Sequence, residues 1–256
     1  MSSASPFGAL LRAWRRRRGL SQLDLSIEAS TTPRYVSFLE TGRARPGRDV
    51  ALRLSRALNL TLRETNELCT SAGLPVEYEV GELDEARMGP VRRVLDMVLT
   101  NHEPFPGWAI GPGLRFIASN RAAERVMPGL TQLGPEQLVD LWCAGDAPAD
   151  ADARARATFG AIHMLRNELF HHPHPALQSL LARAQAHAEG LTEPAEPPRS
   201  VALFSTLTVN GHSLQTVSTV MRFDKALDVT MSEIRVELVF PATEAAERWF
   251  RAQSKV

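Results

Sequence analysis

The stretch "GLSQLDLSIEASTTPRYVSFLETGR", residues 19–43, has the pattern of two short helices joined by a tight turn. Ser21 is suited to cap a first helix over residues 22–29, because its hydroxyl can accept a bond from a free backbone N–H. Thr32 is suited to cap the next helix, and Pro33 is tolerated in that helix's first turn. Gly42 is expected to end it. The stretch therefore predicts two helices with a turn at its small residues.

The apolar residues indicate which face of each helix is buried. In the first helix we expect Leu23, Leu25 and Ile27 to supply apolar contacts. In the second, Val36 and Leu39 turn one face inward. The remaining positions of the second helix face outward near its N-terminal half, and they are Arg34, Tyr35, Ser37 and Phe38.

The surrounding sequence adds three more helices. Apolar residues at helical spacing predict one helix over residues 6–18, which ends before Gly19. The segment "RPGRDVALRLSRALNL", residues 45–60, predicts a fourth helix, and Thr61 starts a fifth that runs to about Ala72. Five short helices therefore fill the first seventy-odd residues.

The net charge of zero hides two oppositely charged parts. Residues 1–75 hold 12 Arg and six acidic residues, a net charge of +6, so the remainder carries −6. A basic front of this kind suits a polyanionic partner. The two cysteines stand far apart in the chain and support neither a disulfide framework nor a zinc site. With no secretory leader and no apolar stretch near the ~20 residues that span a bilayer, we expect a cytoplasmic protein.

The outward positions of the second short helix have the chemistry of a DNA-reading surface. Arg34 is the best candidate for a bidentate contact to guanine, and Phe38 for contact with a thymine methyl group. Gln22, at the start of the first short helix, is placed to meet a phosphate. The candidate DNA-binding residues are Gln22, Thr32, Arg34, Tyr35, Ser37, Phe38, Arg43 and Arg45.

Three segments resemble one known family of helix-turn-helix proteins. They are "LLRAWRRRRGLSQLDLS" at 10–26, "TTPRYVSFLETG" at 31–42 and "RARP" at 43–46. Over residues 6 to about 72 the chain resembles the xenobiotic response element family, which is lambda-repressor-like. The resemblance implies an all-α, five-helix DNA-binding domain. It also implies that Glu40 holds the domain together from inside.

The rest of the chain predicts a domain of a different kind. Gly, Pro and acidic residues between 75 and 85 mark a boundary, and a helix follows up to Asn101. Short strands are expected at 108–110 and 114–118, then a helix capped by Asn120 and helices over 135–143, 152–170 and 175–188. β-Branched, alternating residues predict three more antiparallel strands within 199–209, 213–223 and 231–240, and a last helix covers residues 243–253. This is an α+β domain with a PAS-like layout.

This second half resembles the ligand-binding domain of MmyB-like transcription regulators. The matching residues are "LPVEYE" at 74–79, "NHEPFPGWAI" at 101–110, "SNRAA" at 119–123 and the tail "STVMRFDKALDVTMSEIRVELVFPATEAA" at 218–246. The resemblance implies a fatty-acid-like ligand. Large apolar residues are candidates to line its pocket: Trp108, Phe116, Leu138, Trp142, Phe159, Met164, Leu165, Phe204 and Met221.

The histidines raise two alternatives. Five of them, His163, His171, His172, His174 and His187, lie in the helical middle, and "HHPH" suggests a metal site. No Cys or carboxylate recurs there at a ligand spacing, so a surface loop is favoured and no metal or cofactor is expected. His102 and Glu103 resemble a general-base pair, but no catalytic motif accompanies them.

The sequence therefore predicts a one-component regulator and not an enzyme. Residues 1–75 are expected to bind double-stranded operator DNA, residues 76–84 to form a linker, and residues 85–256 to bind a small apolar effector and to dimerise. A homodimer is expected because two half-sites double the DNA contacts of one small domain. Two rivals stay open: a C-terminal half that only dimerises, and an enzyme with an accessory helix-turn-helix.

Overall fold

A computed structural model describes residues 5–81, 85–144, 151–171, 174–195, 205–209, 212–223 and 228–254. The chain divides into two compact units. The first comprises Met1–Glu82 together with Lys225–Ser232, and the second comprises Leu83–Asp224 together with Glu233–Val256. Within the described residues, no helix combines the length and the apolar character needed to cross a membrane.

The first unit contains the five short helices expected from the sequence. Local caps define most of their starts. Ser21 and Asp24 form a reciprocal capping box, in which Ser21 Oγ accepts from the Asp24 N–H at 3.1 Å and Asp24 Oδ2 accepts from the Ser21 N–H at 2.8 Å. Thr32 accepts from the Tyr35 N–H at 3.2 Å, as predicted. The helices are α1 Pro6–Arg17, α2 Gln22–Glu28, α3 Pro33–Glu40, α4 Arg48–Ala57 and α5 Leu62–Ser71.

The core of this unit draws apolar side chains from all five helices. Gly8 permits the close crossing of α1 over α3, because a Cβ on Gly8 would lie 2.6 Å from the Leu39 and Glu40 carbonyl oxygens. The buried apolar residues of this cluster are Phe7, Leu11, Trp14, Leu25, Ala29, Val36, Leu39, Leu54, Leu58 and Leu68.

One expectation for α2 is wrong. Leu25 is buried, but Leu23 and Ile27 are 55% and 67% exposed. Each is two residues from Leu25, which is about 200° around a helix with 3.6 residues per turn. Both side chains therefore face away from the core, and α2 buries only a narrow face.

The described residues of the second unit form six helices and five strands. Asn120 caps its second helix as predicted, since its side chain accepts from the Ala123 N–H at 2.9 Å. A short 3-10 turn at Pro112–Leu114 joins the first two strands. In chain order the elements of this unit are α6 Glu85–Asn101, β1 Gly107–Gly111, β2 Arg115–Ser119, α7 Arg121–Val126, α8 Pro135–Ala144, α9 Ala151–His171, α10 Pro175–His187, β3 Ser205–Val209, β4 His212–Arg222, β5 Arg235–Pro241 and α12 Glu244–Gln253.

The five strands form one antiparallel sheet in the order β2-β1-β5-β4-β3. The last strand in sequence therefore lies in the middle, paired with β1 on one side and β4 on the other. Helices α8, α9 and α10 pack together around an apolar cluster that includes Ile110 and Phe116 of the sheet. The molecule thus combines an all-α helix-turn-helix domain with an α+β, PAS-like domain, as the sequence predicts.

The expected final strand begins later than predicted. Val229–Ser232 form a short helix, α11, which belongs to the first unit, and β5 starts only at Arg235. Asp228 favours the helical turn, because its Oδ1 accepts from the Met231 N–H at 3.1 Å. The expected strand residues 199–204 and the turn at Asn210 and Gly211 lie outside the described residues.

Candidate functional site

Helix α3 presents two different faces. Val36, Leu39 and Glu40 are buried, while Arg34 is exposed near the helix N-terminus. The Arg34 guanidinium carbon lies 5.2 Å from the centroid of the Phe38 ring, a cation–π distance. Phe38 is half-buried, and Tyr35 packs against the core, so these two rings are less exposed than the sequence suggested. The accessible groups lie on the N-terminal half of α3.

A buried carboxylate fixes α3 against α1 and α2. Glu40 is 1% exposed and accepts four hydrogen bonds. Arg15 Nε lies at 2.6 Å and Arg15 Nη2 at 3.1 Å, while Arg12 Nε lies at 3.2 Å and Gln22 Nε2 at 2.8 Å. Burial acts to raise the pKa of Glu40, but the bonds from Arg15 and Gln22 and the charge of Arg15 outweigh it and hold that pKa below its usual range. The expected internal role of Glu40 is confirmed.

The same cluster determines what Gln22 has to offer. One N–H of its carboxamide is directed at Glu40, inside the domain. Its position at the first turn of α2 agrees with the prediction, but the side chain is half-buried. Any phosphate contact by Gln22 would therefore use its backbone N–H or the second amide hydrogen of the side chain.

Exposed basic residues follow α3 directly. Gly42 adopts a φ of 74°, and the Arg43 N–H donates to the Phe38 carbonyl at 2.8 Å, which closes the helix end. Arg43 and Arg45 are both exposed in the connection to α4. Thr32 is exposed at the other end of α3, and Ser37 is half-buried. The positive charge of the predicted residues beyond α3 therefore lies just after the C-terminal end of the helix, at Arg43 and Arg45.

Seven of the predicted pocket residues come together in the second unit. Leu138, Phe116 and Leu165 are fully buried or nearly so in one cluster between the sheet and α8–α10. The large side chains Trp108, Trp142, Phe159 and Met164 are partly buried and pack against it. In total the cluster holds seven of the nine candidate pocket residues.

The other two predicted pocket residues are not with this group. Met221 pairs with Val236, whereas Ile110 of the cluster pairs with Arg235. Neighbouring residues on a strand point to opposite faces, so Met221 lies on the other face of the sheet and its prediction as a pocket residue is wrong. Phe204 lies outside the described residues.

Two surface clefts occur elsewhere. One, of about 540 Å³ and on the first unit, is lined by Arg48, Asp49, Leu52, Arg53, Arg56 and Glu77. The other, of about 520 Å³ and on the second unit, is lined by residues that include His212 and Trp249. None of the described pocket candidates lines either cleft, and seven of them pack together in the apolar cluster.

An ion pair borders that apolar cluster and was not predicted. Arg235 is buried on β5, and its Nη1 lies 2.8 Å from Glu168 Oε1 on α9. Burial lowers the pKa of Arg235, and the charge of Glu168 opposes this. On the same face, Trp108 Nε1 donates to Glu237 Oε2 at 3.0 Å. The charged alternation of "RVEL" in β5 was the available signal, because Arg235 and Glu237 share one face of the strand.

The histidines have separate local partners. His174 caps α10, His163 Nε2 lies 3.0 Å from Glu193 Oε1, and His187 Nε2 lies 2.9 Å from Asp140 Oδ1. His171 has no described side chain, and His172 lies outside the described residues. Across the described part of the chain, no group of three His, Cys, Asp or Glu side chains is arranged to hold a metal ion.

His102 and Glu103 do not act as a pair. His102 is buried, and its Nε2 lies 3.0 Å from the Val239 carbonyl. Glu103 Oε1 instead accepts from the Ala122 N–H at 3.1 Å. Both side chains therefore connect the turn before β1 to neighbouring elements.

Comparison with known proteins assigns a family to both parts. Residues 6–68 match a family described as "Helix-turn-helix domain". Residues 91–252, more than half of the chain, match "MmyB-like transcription regulator ligand binding domain". Among proteins with curated functions, none matches the chain.

Two solved structures are similar to the chain over about a quarter of its length. The restriction-modification controller protein C.AhdI from Aeromonas hydrophila is 33% identical, with a TM-score of 0.23, over 24% of this chain and 92% of that one. The clp gene regulator ClgR from C. glutamicum is 25% identical, with a TM-score of 0.24, over 27% of this chain and 86% of that one. On the match over residues 91–252, the chain belongs to the family of MmyB-like transcription regulators, with a helix-turn-helix domain in front of the ligand-binding domain.

Proposed function

We propose that the protein is a sequence-specific transcription regulator whose operator affinity changes when a small apolar, fatty-acid-like molecule binds its second domain. Residues 1–75 bind the operator, residues 76–84 link the domains, and residues 85–256 bind the effector and form a homodimer. Such a regulator acts in the cytoplasm, where its DNA is. The observation that carries the DNA-binding part is the exposed Arg34 on a helix fixed from behind by the buried Glu40 cluster.

Each DNA contact follows from the chemistry of its side chain. Arg34 reads guanine with its two-pronged guanidinium, and Phe38 beside it meets a thymine methyl group. Thr32 and Ser37 bond phosphate or base. Arg43 and Arg45 meet phosphates, which supply affinity without sequence preference.

A pair of arginine variants tests these roles. A duplex selected from a random library by the full chain, called the selected operator below, is compared with a shuffled duplex by fluorescence anisotropy. Arg34→Ala is expected to cost ~1–3 kcal/mol on the selected operator and to relax preference at one base position, whereas Arg43→Ala weakens both duplexes alike. Arg166→Ala, an exposed arginine on α9, is the matched control. Equal losses on both duplexes for Arg34→Ala would refute its reading role.

The effector part rests on the apolar cluster between sheet and helices. Its partly buried members Trp108, Trp142, Phe159 and Met164 offer large, adaptable apolar surface beside a packed centre. Native mass spectrometry of the gently purified full chain tests this, because it reports both bound molecules and subunit number. A stoichiometric small-molecule adduct on a dimer is expected. A dimer without any adduct, and without a gain of mass on addition of sodium myristate, would contradict effector binding.

One observation favours a second candidate function. Leu138, Leu165 and Ile162 are almost entirely buried, so the cluster is also what a filled core looks like. In that case the second domain only dimerises, and the protein regulates DNA without an effector. The adduct-free dimer described above is the result that this candidate predicts.

A further inference from the structure

One helix of the DNA-binding unit comes from the sequence of the other domain. The chain completes β4 at Arg222, contributes Asp228–Ser232 with α11 to the first unit, and returns to the sheet as β5 at Arg235. Arg222 and Arg235 are direct partners in the β4–β5 ladder. The chain therefore leaves the sheet and returns to it at one pair of neighbouring residues, Arg222 and Arg235, and we call the residues between them the excursion.

α11 packs beside a segment, residues 77–81, whose first two residues are held in place by α5. Asn66, buried on α5, uses its whole carboxamide to hold residues 77 and 78. Its Oδ1 accepts from the Glu77 and Tyr78 N–H groups, both at 2.9 Å, and its Nδ2 donates to the Tyr78 carbonyl at 2.6 Å. Three hydrogen bonds from one buried side chain make the segment that follows a firm support, because displacing it would leave buried polar groups without partners.

α11 docks on the continuation of that segment. The Val229 N–H donates to the Glu79 carbonyl at 3.0 Å, and the Gly81 N–H donates to Asp228 Oδ2 at 3.0 Å. Thr230 Oγ1 donates to the Gly81 carbonyl at 2.6 Å. The Val229 side chain is fully buried and α11 contacts α5, so apolar burial adds to the three bonds.

Arg235, where the chain returns to the sheet, lies beside the apolar cluster. Arg235 pairs with Ile110 in the β1–β5 ladder, and Ile110 belongs to the cluster. The Arg235 side chain is held by Glu168 of α9, one turn after Leu165. A molecule that enters the cluster and moves α9 or β1 therefore acts on the first residue of β5, three residues after α11 ends.

We propose that α11 is the regulatory element of this protein: effector binding in the sheet domain displaces the β4–β5 rung, and α11 passes that change to α5 and the DNA-binding helices. This inference rests on the proposed function, since it assigns a route to the regulation proposed there. It also gives a reason for the departure of Asp228–Ser232 from the sheet, since a short hairpin turn would be enough to join β4 and β5.

The double variant Asp228→Ala, Thr230→Val tests the proposal in the full chain. It removes the side-chain bonds to Gly81 from both sides, and with Asp228 also the bond to the Met231 N–H, while it keeps the buried Val229 and the shape of Thr230. Thr219→Val, at an exposed site on β4, is the matched control. The dissociation constant for the selected operator is measured by anisotropy with and without sodium myristate, and myristate binding is measured separately by native mass spectrometry.

For the wild type and for Thr219→Val we expect myristate to change operator affinity by a factor of ~5–150. In the double variant the factor falls to about 1, while myristate still binds and operator affinity without myristate stays within about threefold of wild type. An unchanged factor in the double variant that still binds myristate would overturn the route through α11. A wild type that binds no myristate, or whose operator affinity ignores it, would instead contradict the proposed function itself.

A second measurement uses only the wild-type chain, so that it tests the proposal even where the double variant fails to fold. Amide hydrogen exchange of the wild-type chain is followed with and without myristate in peptides over residues 76–81 and 228–233. Myristate is expected to change the exchange of the Val229 and Gly81 amides by at least severalfold, since both bonds belong to the α11 contact. No change in either peptide from a chain that binds myristate would overturn the proposal.

Discussion

Replacement of Glu40 by alanine is expected to loosen the DNA-binding helices strongly. Arg15 donates two hydrogen bonds to Glu40, and its side chain is only 11% exposed, so the substitution leaves a nearly buried cation without its partner. Breaking a buried pair in this way typically costs ~3–5 kcal/mol. Arg12 adds little, because its side chain is 42% exposed and water screens its attraction to Glu40. Arg15 also keeps its bond to the Leu20 carbonyl at 2.7 Å, which favours the lower end, about 3 kcal/mol.

Native-state hydrogen exchange of the full chain measures this loss where it occurs. Amides of α3, such as those of Val36 and Leu39, are expected to lose protection equivalent to about 3 kcal/mol of opening free energy. Glu28→Ala, which removes an exposed acid on α2, is the control and is expected to change protection by less than about 0.5 kcal/mol. Equal protection of α3 in the two variants would refute the role assigned to the cluster.

The other predictions concern pH and two further buried groups. Since the folded-state pKa of Glu40 is lowered, its stabilisation is complete above its ordinary value of 4.5 and is lost as the pH falls toward the folded pKa; Glu40→Gln should remove that part of the acid dependence of α3 protection, and an unchanged acid profile would contradict it. Arg235→Ala should destabilise the second domain by ~3–5 kcal/mol in thermal unfolding, whereas Arg235→Met with Glu168→Leu should be close to neutral; equal losses would contradict a desolvated pair. Asn66→Ala should cost ~1–3 kcal/mol and release the Glu77 and Tyr78 amides to exchange, and retained protection of these amides would argue against the clamp.

The parts of the fold that local chemistry controls could be predicted from the sequence. Ser21, Thr32 and Asn120 each cap a helix through a bond to a backbone N–H three residues on, so their neighbours in sequence are enough to place the helix starts. The inward positions of Val36 and Leu39 follow from helical spacing. The buried role of Glu40 came from the family resemblance.

The parts that depend on distant partners could not be predicted. The strand predicted over residues 231–240 begins only at Arg235, because Met231 and Ser232 belong to α11, whose partners Glu79 and Gly81 lie far away in the sequence. Apolar character alone suggested that Leu23 and Ile27 are buried, because the sequence does not show how narrow the covered face of α2 is. Met221 was assigned to the wrong face of the sheet, since the register with β5 is set by tertiary pairing.

The DNA contacts of α3 stay predictions, and the fold explains why they are reasonable. The structure places Arg34 outside and the Glu40 cluster inside on the same short helix. The bases that Arg34 would contact depend on the DNA, which the sequence of the protein does not contain.

Sequence-specific binding of DNA by the full chain can be measured directly. Dissociation constants for the selected operator and for a shuffled duplex of equal length are measured by anisotropy at one physiological salt concentration, because salt changes both values. The selected operator is expected to bind at least ~10³-fold more tightly than the shuffled duplex, which is the ratio typical of sequence-specific regulators. Equal affinity for the two duplexes, or a random library from which no sequence is enriched, would contradict it.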